Sequence, residues 1–540
     1  MADRRSFASI AAQTEHPVNA PLVSRRLRSL ALALRGDWLL LMLVPLLLIV
    51  GLWHLDRYPR TWFDEGMYLQ VAKNFAHDRL YAVRSADGTI DYAPIIGVGP
   101  TVLMPAALAV AVGGDELSAA RVVPFIAFLL ATVLLYLLAR GLFGRLAAAC
   151  TLLLLLTLPA LDWLATGRQL LGEVPAILLL LCGGLCAWFT PSRRAPVIAG
   201  LFFGLTLMTK GQYLLVLPPA LCLIALFDLV FTKQRPWRWY LWLIGVTGMT
   251  YVVWMVALLS FLNEGQLVEN YRQLRASSGG ALLVFNRERM VAGVKFLLGP
   301  RTFFLVLPAT VAGLWLTWRA TGRRRLALAA LWGFQSLWFL WFAFASIAWP
   351  RYAFPGLVLS TIFMGVFLAR ALELAVGAVR QRRWRVANLA AIVIVGLLAL
   401  LIGRGAWSAF SPVALADQRE PQQFAHEVDR LVPTAAVIDS WEPELGFLTN
   451  RSIQHPPLGT LDRVVRARWL PTGSGPTASL DMSAGLKGDY LIVGPFARWV
   501  GIYTAATTSS RYRLVAQVGE YELYQRIGGT ASEKVGSTLP

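Results

Sequence analysis

Tyr58-Pro-Arg-Thr-Trp-Phe-Asp-Glu-Gly-Met-Tyr-Leu-Gln-Val-Ala-Lys-Asn-Phe75 follows the first apolar segment and sets two adjacent carboxylates, Asp64 and Glu65, a few residues beyond it. The stretch is amphipathic: Trp62, Phe63, Met67, Leu69, Val71, Ala72 and Phe75 are apolar, whereas Gln70, Lys73 and Asn74 are not. Such a pattern predicts a helix in a membrane interface with an acidic pair in its first turn. Two readings of the pair compete. Asp and Glu favour helix starts, so an ordinary cap explains them. A pair of carboxylates could equally serve proton transfer.

The surroundings decide the fold class. Of 540 residues, 56% are hydrophobic, and apolar runs of about 18 residues recur along most of the chain, which marks a polytopic α-helical membrane protein. The formal charge of +19 would suggest nucleic acid in a soluble chain. Here the cations gather in short loops between apolar runs, where membrane orientation accounts for them and no nucleic-acid partner is expected. The four cysteines, Cys150, Cys182, Cys186 and Cys222, all fall inside apolar runs. That placement predicts neither a disulfide framework nor a metal cluster, and the scattered histidines predict no metal ligand. No cofactor is predicted.

Eleven spans follow from the apolar runs: Trp38–Leu55, Ala119–Leu138, Leu146–Leu161, Val174–Phe189, Pro196–Thr209, Tyr213–Phe231, Trp239–Leu262, Thr302–Trp318, Leu326–Ile347, Ala353–Leu368 and Val386–Gly403. A further apolar piece, Gly97–Val112, is short and rich in Gly and Pro, and reads as interfacial or re-entrant. With these spans every strongly basic loop falls on one side, together with the N-terminal tail of residues 1–37 and its Arg25, Arg26, Arg28 and Arg35. Positive charge marks the cytoplasmic face, so the tail is predicted inside, with an uncleaved first span. Residues 38–405 form the membrane module, with an outer loop 56–118 and a polar outer loop 263–301. The latter reads as a lid, its Ser277-Ser-Gly-Gly280 hinge lying beside Tyr271, Arg272, Arg275 and Arg287-Glu-Arg289. Within residues 406–527 the composition changes: 411–527 lack long apolar runs and mix helix-like stretches, Pro421–Leu431 and Thr460–Leu470, with β-branched runs. They read as a small extracytoplasmic α/β domain. The polar residues 528–540 are predicted to be disordered.

Seven polar residues flank spans on the outer side: Asp64, Glu65, Arg168, Glu173, Lys210, Arg351 and Tyr352. Acids and cations around one outer cavity suit a reaction with an anionic donor. Cations hold a phosphate while a carboxylate takes a proton from an attacking hydroxyl or amine. Each has a plainer reading. Lys210 could snorkel at a span end. Arg351 lies against the inward bias of positive charge, so orientation does not explain it. Arg168 and Glu173 are five apart and do not share a helix face.

These residues carry a resemblance. Trp62-Phe-Asp-Glu-Gly-Met-Tyr68, Gly99-Pro100-Thr with Gly113-Gly-Asp-Glu-Leu-Ser-Ala-Ala-Arg121, Arg168-Gln-Leu-Leu-Gly-Glu-Val-Pro175, Gly204-Leu-Thr-Leu-Met-Thr-Lys-Gly211 and Trp349-Pro-Arg-Tyr-Ala-Phe-Pro355 stand in order along the chain. Together they resemble the C-type (GT-C) glycosyltransferases of family 39, the protein O-mannosyltransferases and aminoarabinose transferases. The likeness runs from about residue 38 to 404.

The resemblance implies a GT-C fold and transfer of a sugar from a polyprenyl-monophosphate donor, with inversion. The reaction would take place on the outer face of the cytoplasmic membrane, and the acceptor would be a glycolipid, a glycan or a protein. Carried onto this chain, it implies Asp64 as catalytic base, with Glu65 and Glu173 supporting acceptor binding or orientation. Lys210 and Arg351 would hold the lipid phosphate, with Arg168 and Tyr352 beside them. Aminoarabinose transferases carry Lys-Pro-Pro-Leu in the first outer loop, whereas Val98-Gly99-Pro100-Thr101 stands here. The missing lysine argues against aminoarabinose, and Arg84 in the same loop is a candidate replacement. A transporter or flippase is the alternative. The charges fall mostly at span ends rather than at mid-membrane depth, and no half of the chain repeats the other, both of which disfavour it.

Overall fold

The computed structural model describes residues 37–84, 90–91, 97–260, 282–381, 386–457 and 480–527, with a few single positions between them. It divides into a unit ending at Ile49 and a second unit from Val50 onward. The first helix, α1 (Trp38–Leu52), crosses that division. The chain continues through α2 (Phe63–Asp78), a small antiparallel pair β1 (Val83–Arg84) and β2 (Ile90–Asp91), α3 (Pro100–Gly113), α4 (Leu117–Phe143), α5 (Arg145–Thr157) and α6 (Trp163–Gly167). Then come α7 (Glu173–Gly184), α8 (Ala195–Thr209), α9 (Tyr213–Phe227), α10 (Trp237–Ser260) and α11 (Arg287–Leu297). The helical part closes with α12 (Phe303–Arg319), α13 (Gly322–Ala345), α14 (Phe354–Gln381) and α15 (Val386–Leu415).

Each of the eleven predicted apolar spans is a helix. Six described segments are long and apolar enough to cross a membrane, and six shorter apolar helices accompany them, the α3 segment included. Helix is the expected answer, because a single-chain segment in hydrocarbon must satisfy its own backbone groups. The last span overruns its predicted end at Gly403 and continues to Leu415. Within the predicted lid, α11 is a regular helix packed on α13. Its N-cap Asn286 accepts from the backbone N–H groups of Glu288 and Arg289. The Ser277–Gly280 hinge, Tyr271, Arg272 and Arg275 lie outside the described residues.

The C-terminal domain has α16 (Glu420–Leu431), β3 (Val437–Ser440), α17 (Pro443–Leu448), β4 (Ser452–Gln454), β5 (Tyr490–Val493), α18 (Pro495–Val500), α19 (Thr504–Thr508), β6 (Tyr512–Val518) and β7 (Tyr521–Arg526). Its five-stranded sheet has the order β4-β3-β5-β7-β6. β3 runs parallel to β4 and β5, with Ile438 opposite Tyr490. β7 runs antiparallel to β5 and β6, with Leu491 opposite Tyr524. Side chains alternate across a strand, and the central strand β5 uses both faces. Tyr490 and Ile492 join a core with Phe424, Val428 and Leu445, whereas Leu491 and Val493 face the other way. The predicted helix at 460–470 falls almost wholly outside the described residues.

That second face corrects the reading of α2. Its apolar stripe does not lie open to lipid: Leu69, Val71 and Ala72 are fully buried, in one core with Trp441, Leu491, Val493 and Phe496. Burying a side chain such as Leu69 stabilises by about 1.5–3 kcal/mol relative to leaving it in water. The polar side of α2 is tied down as well. Lys73 donates to the carbonyls of Phe447 (2.9 Å) and Thr449 (3.2 Å), and the Gln70 amide reaches the Pro443 carbonyl and His455. Contact is closest at Gly66, where a Cβ would fall 2.3 Å from the Glu444 nitrogen. So α2 is a keystone between the apolar helices and the domain, and it carries the acidic pair at its start.

Candidate active site

Asp64 and Glu65 sit in the first turn of α2 and point to different partners. Asp64 Oδ2 lies 2.7 Å from Arg351 Nη2. Arg351 belongs to the 3-10 turn Pro350–Ala353 that leads into α14, and its Nε lies 3.2 Å from Glu173 Oε1 at the start of α7. The same Glu173 oxygen accepts from Lys210 Nζ at 2.7 Å, and that ammonium also donates to the Leu171 carbonyl at 2.7 Å. The result is an alternating chain, Asp64–Arg351–Glu173–Lys210, assembled from four separate parts of the sequence. Asp64 retains 19% side-chain exposure against 5% for Glu173, so Asp64 is the more accessible of the two carboxylates.

Two backbone features build the Lys210 end. Val98 pairs with Lys210 in an isolated antiparallel bridge, and Gly99 N–H donates to the Thr209 carbonyl at 3.0 Å. The chain then turns through Gly172, whose φ of +81° lies in the left-handed region; a Cβ there would sit 3.0 Å from Val98 Cγ2 and 3.5 Å from Lys210 Cδ. Val98 is fully buried, so the segment that stands in place of Lys-Pro-Pro-Leu lies against Lys210 and brings no cation. The backbone of Arg84 lies in β1; its side chain is outside the described residues.

Two predicted residues are engaged elsewhere. Glu65 is fully buried, and both its oxygens are taken by Arg121, from Nε at 2.8 Å and from Nη2 at 2.6 Å; the Leu170 N–H adds a third bond at 3.1 Å. Arg121 also donates to the Leu55 carbonyl and to Thr61 Oγ1. Glu65 is therefore neither a helix cap nor a neighbour of Arg351 or Lys210. It anchors the turn that aims Asp64. Arg168, expected beside the phosphate, spends its donors on the carbonyls of Val50, Trp53, His54 and Tyr58, all at 2.8–3.0 Å. It staples the chain leading into α2 instead of joining the cluster.

Tyr352 does stand at the cluster, its ring stacked on Trp341 at 5.8 Å and close enough to Arg351, Asp64 and Glu173 to feel their charges. Sequence reasoning missed three neighbours. Tyr68 is buried on the same face of α2 as Asp64 and faces Asp64, Arg351 and Glu173; burial, with the Asp64 charge, pushes its phenol well above the ordinary tyrosine range. Gln212 stands near enough to Tyr352 to act on its hydroxyl, and Tyr213, whose N–H donates to the Lys210 carbonyl at 3.1 Å, is near enough to Glu173 to feel its charge. A signal for Tyr68 existed, one helical turn from Asp64; Tyr213 reads as core. Among the described residues no group of three or more His, Cys, Asp or Glu could hold a metal ion.

Comparison with known proteins bears on this geometry. Val98 to Val256 match the family described as dolichyl-phosphate-mannose-protein mannosyltransferase, a segment that includes Arg121, Arg168, Glu173 and Lys210. In structure, the chain is similar to ArnT from Cupriavidus metallidurans bound to undecaprenyl phosphate. The TM-score is 0.62 at 16% identity, over 92% of this chain and 99% of ArnT. The apo form of the same protein gives 0.58 at 15%, over 90% and 98%. The chain has the GT-C fold. The archaeal oligosaccharyltransferase AglB from Archaeoglobus fulgidus, in complex with an inhibitory peptide and a dolichol-phosphate, is also similar. There the TM-score is 0.52 at 14% identity, over 86% of this chain and 70% of AglB. No curated protein matches the chain in sequence. Within the GT-C fold the cluster gathers where α2, α7, α8 and α14 begin or end, at one level of the helical part and next to the C-terminal domain.

Proposed function

We propose that the chain is an integral membrane glycosyltransferase that moves a sugar from a polyprenyl-monophosphate donor to a hydroxyl or amine acceptor. The observation that carries this reading is the chain Asp64–Arg351–Glu173–Lys210. It sets the more accessible carboxylate at one end and a buried ammonium at the other, with a guanidinium between them. The matched family and both lipid-bound neighbours support a phosphorylated polyprenyl donor. The alternation of basic loops supports an N-terminus inside and a C-terminal domain outside, with transfer at the outer face of the cytoplasmic membrane.

In this mechanism Lys210 and Arg351 take the donor phosphodiester, the guanidinium bidentately and the ammonium as a point charge. The acceptor oxygen or nitrogen attacks the anomeric carbon opposite the phosphate, its proton passing to Asp64. The bond between the anomeric carbon and the phosphate oxygen breaks, and its electron pair stays on the phosphate. The phosphate thereby gains one negative charge, which the two cations stabilise in a site of low dielectric. Such a leaving group needs no proton, so one base suffices. Attack from the far face inverts the configuration. Glu173 holds both cations in place before the donor arrives, and Glu65 holds the turn beneath Asp64.

Purified protein incubated with a panel of polyprenyl-phosphate hexoses and pentoses tests the reading. Release of polyprenyl phosphate from at least one donor, lost when Lys210 and Arg351 are both replaced by methionine, is expected. Binding of the lipids without release from any member, in the presence of envelope glycolipid, glycan and protein acceptors, would argue for a transporter or a scaffold.

A further inference from the structure

Away from the cluster, the helices enclose an apolar cavity. About 540 Å³ of empty space, partly open at its edge, lies among Leu138 of α4, Trp188 in the wide turn that ends α7, Phe203 of α8, Ile224 of α9, Ala327 of α13 and Leu359 of α14. No charged side chain lines it. Its end on the basic side is ringed by cations. Arg235 donates from Nη2 to the carbonyls of Ala187 and Thr190, both at 3.4 Å, flanking Trp188. Its guanidinium stands 5.1 Å from the Trp239 ring. Arg325 lies 5.6 Å from the Phe227 ring, just beyond Ile224 and just before Ala327 along their helices. Phe227 is followed by Asp228, which accepts from the Arg235 N–H at 2.9 Å, so the two arginines are anchored on neighbouring residues. Arg324 closes the third side, donating to the Leu142 carbonyl at 2.8 Å, one helical turn past Leu138. None of these guanidinium groups makes an ion pair with a carboxylate among the described residues. The nearby Asp228 is fully buried and spends its oxygens on Thr232, Tyr240 and the Gln234 and Arg235 N–H groups. Arg323, Arg324 and Arg325 also occupy the first turn of α13 with no acid among them, at the end of a helix that favours an anion.

We infer that this cavity is a binding site for an anionic glycerophospholipid of the leaflet on the basic side, with an acyl chain in the apolar space and the phosphate held by Arg235 and Arg325, beside Arg324. Basic pockets between membrane helices suit such headgroups. Positive loops orient a membrane protein by charge alone, which does not ask for guanidinium groups packed on rings and carbonyls at the mouth of a cavity. Among the described residues the side chains of Arg235 and Arg324 donate from Nη2 only, so their Nε and Nη1 donors are left for an anion, and arginine suits phosphate. The other occupant to weigh is the chain of the polyprenyl donor, and charge disfavours it. In the proposed mechanism the donor phosphate sits at Lys210 and Arg351, beside Glu173 at the opposite end of α7. Glu173 and Phe189 are separated by about 24 Å of helix. An isoprenoid entering from there would bring its apolar end to the arginines, whereas a phospholipid entering from the basic side matches the cavity at both ends. The site therefore takes a second lipid, and it stands whether or not sugar is transferred.

The test is binding of phosphatidylglycerol and phosphatidylcholine, with identical acyl chains, to the delipidated full chain in detergent, followed by native mass spectrometry. One phosphatidylglycerol should be held about tenfold more tightly than phosphatidylcholine, the size of a charge-assisted contact. Arg235→Gln combined with Arg325→Gln should abolish that preference. Arg319→Gln combined with Arg380→Gln, which removes two exposed cations of the same side, should leave it intact. Ala327→Leu, which fills part of the cavity, should weaken binding of phosphatidylglycerol while the Tm holds. Undecaprenyl phosphate should add to the complex without displacing the phospholipid. Retention of neither lipid, or of both equally, would overturn the site, the second marking a crevice filled by bulk lipid. Equal loss in the two double variants would reduce it to general surface charge. Displacement by inorganic phosphate would leave an anion site without a lipid, and displacement by undecaprenyl phosphate would assign the cavity to the donor's own chain; either result overturns the inference.

Discussion

Replacing Arg121 with methionine removes the cation from a fully buried pair and leaves Glu65 as an unpaired buried carboxylate. Four hydrogen bonds go with it, two to Glu65 and one each to the Leu55 carbonyl and Thr61 Oγ1. Breaking a buried pair on one side costs about 3–5 kcal/mol, a large part of the roughly 5–15 kcal/mol that holds a typical fold together. Replacing both partners by apolar residues of similar size is often nearly neutral. The ordering therefore discriminates. Arg121→Met should lower the Tm of the purified protein steeply, and Glu65→Met should lower it too, while the double variant should recover most of the loss. Activity adds a second readout, since a loosened first turn misdirects Asp64 even where the fold survives. The cycle refutes the clamp if the double variant is as unstable as the two single losses added together. It also refutes it if Arg121→Met leaves the Tm unchanged.

Lys210→Met should weaken binding of undecaprenyl phosphate by tenfold or more, on the order expected for a lost charge-assisted contact, as read by titration in detergent; unchanged affinity would remove Lys210 from the phosphate site. Gly172→Ala forces a Cβ into left-handed backbone, costing about 1–2 kcal/mol, and presses on Val98 and Lys210. It should lower activity, whereas Gly141→Ala in α4, with nothing within 4 Å, should not. In the C-terminal domain, burial pushes Glu444 up to about 7, against the hydrogen bond from Tyr521. An acid raised in this way is favoured protonated in the fold. The unfolded chain therefore ionises first, and stability falls as pH rises from about 4.5 to 7, by about 1.4 kcal/mol per unit at most. Glu444→Gln should flatten that slope in thermal melts; an unaltered slope would show that the carboxyl is not its source.

The legibility of this chain divides along physical lines. Apolar segments announce themselves because hydropathy adds along the sequence, so every predicted span is found as a helix and only the ends differ, as in α15. Ionisable residues at the ends of such segments are expensive, which is why Asp64, Glu173, Lys210, Arg351 and Tyr352 could be picked out. What each one touches is a tertiary matter. Nothing local says that Glu65 meets Arg121, 56 positions along the chain, or that Arg168 is consumed by carbonyls instead of a phosphate. Asp64 and Glu65 are neighbours, yet the helix turns them to different partners. The apolar face of α2 is equally ambiguous, since lipid and a protein domain ask for the same side chains.

In the proposed mechanism Asp64 takes the acceptor proton while Lys210 and Arg351 hold the phosphate. Single-turnover release of polyprenyl phosphate from a donor that the wild type consumes, measured for wild type and Asp64→Asn, tests it most directly. The variant should still bind undecaprenyl phosphate and melt as the wild type does, while release falls by roughly 100-fold or more, the contribution expected of a general base. Release at the wild-type rate from a folded, lipid-binding Asp64→Asn protein would rule Asp64 out as the base.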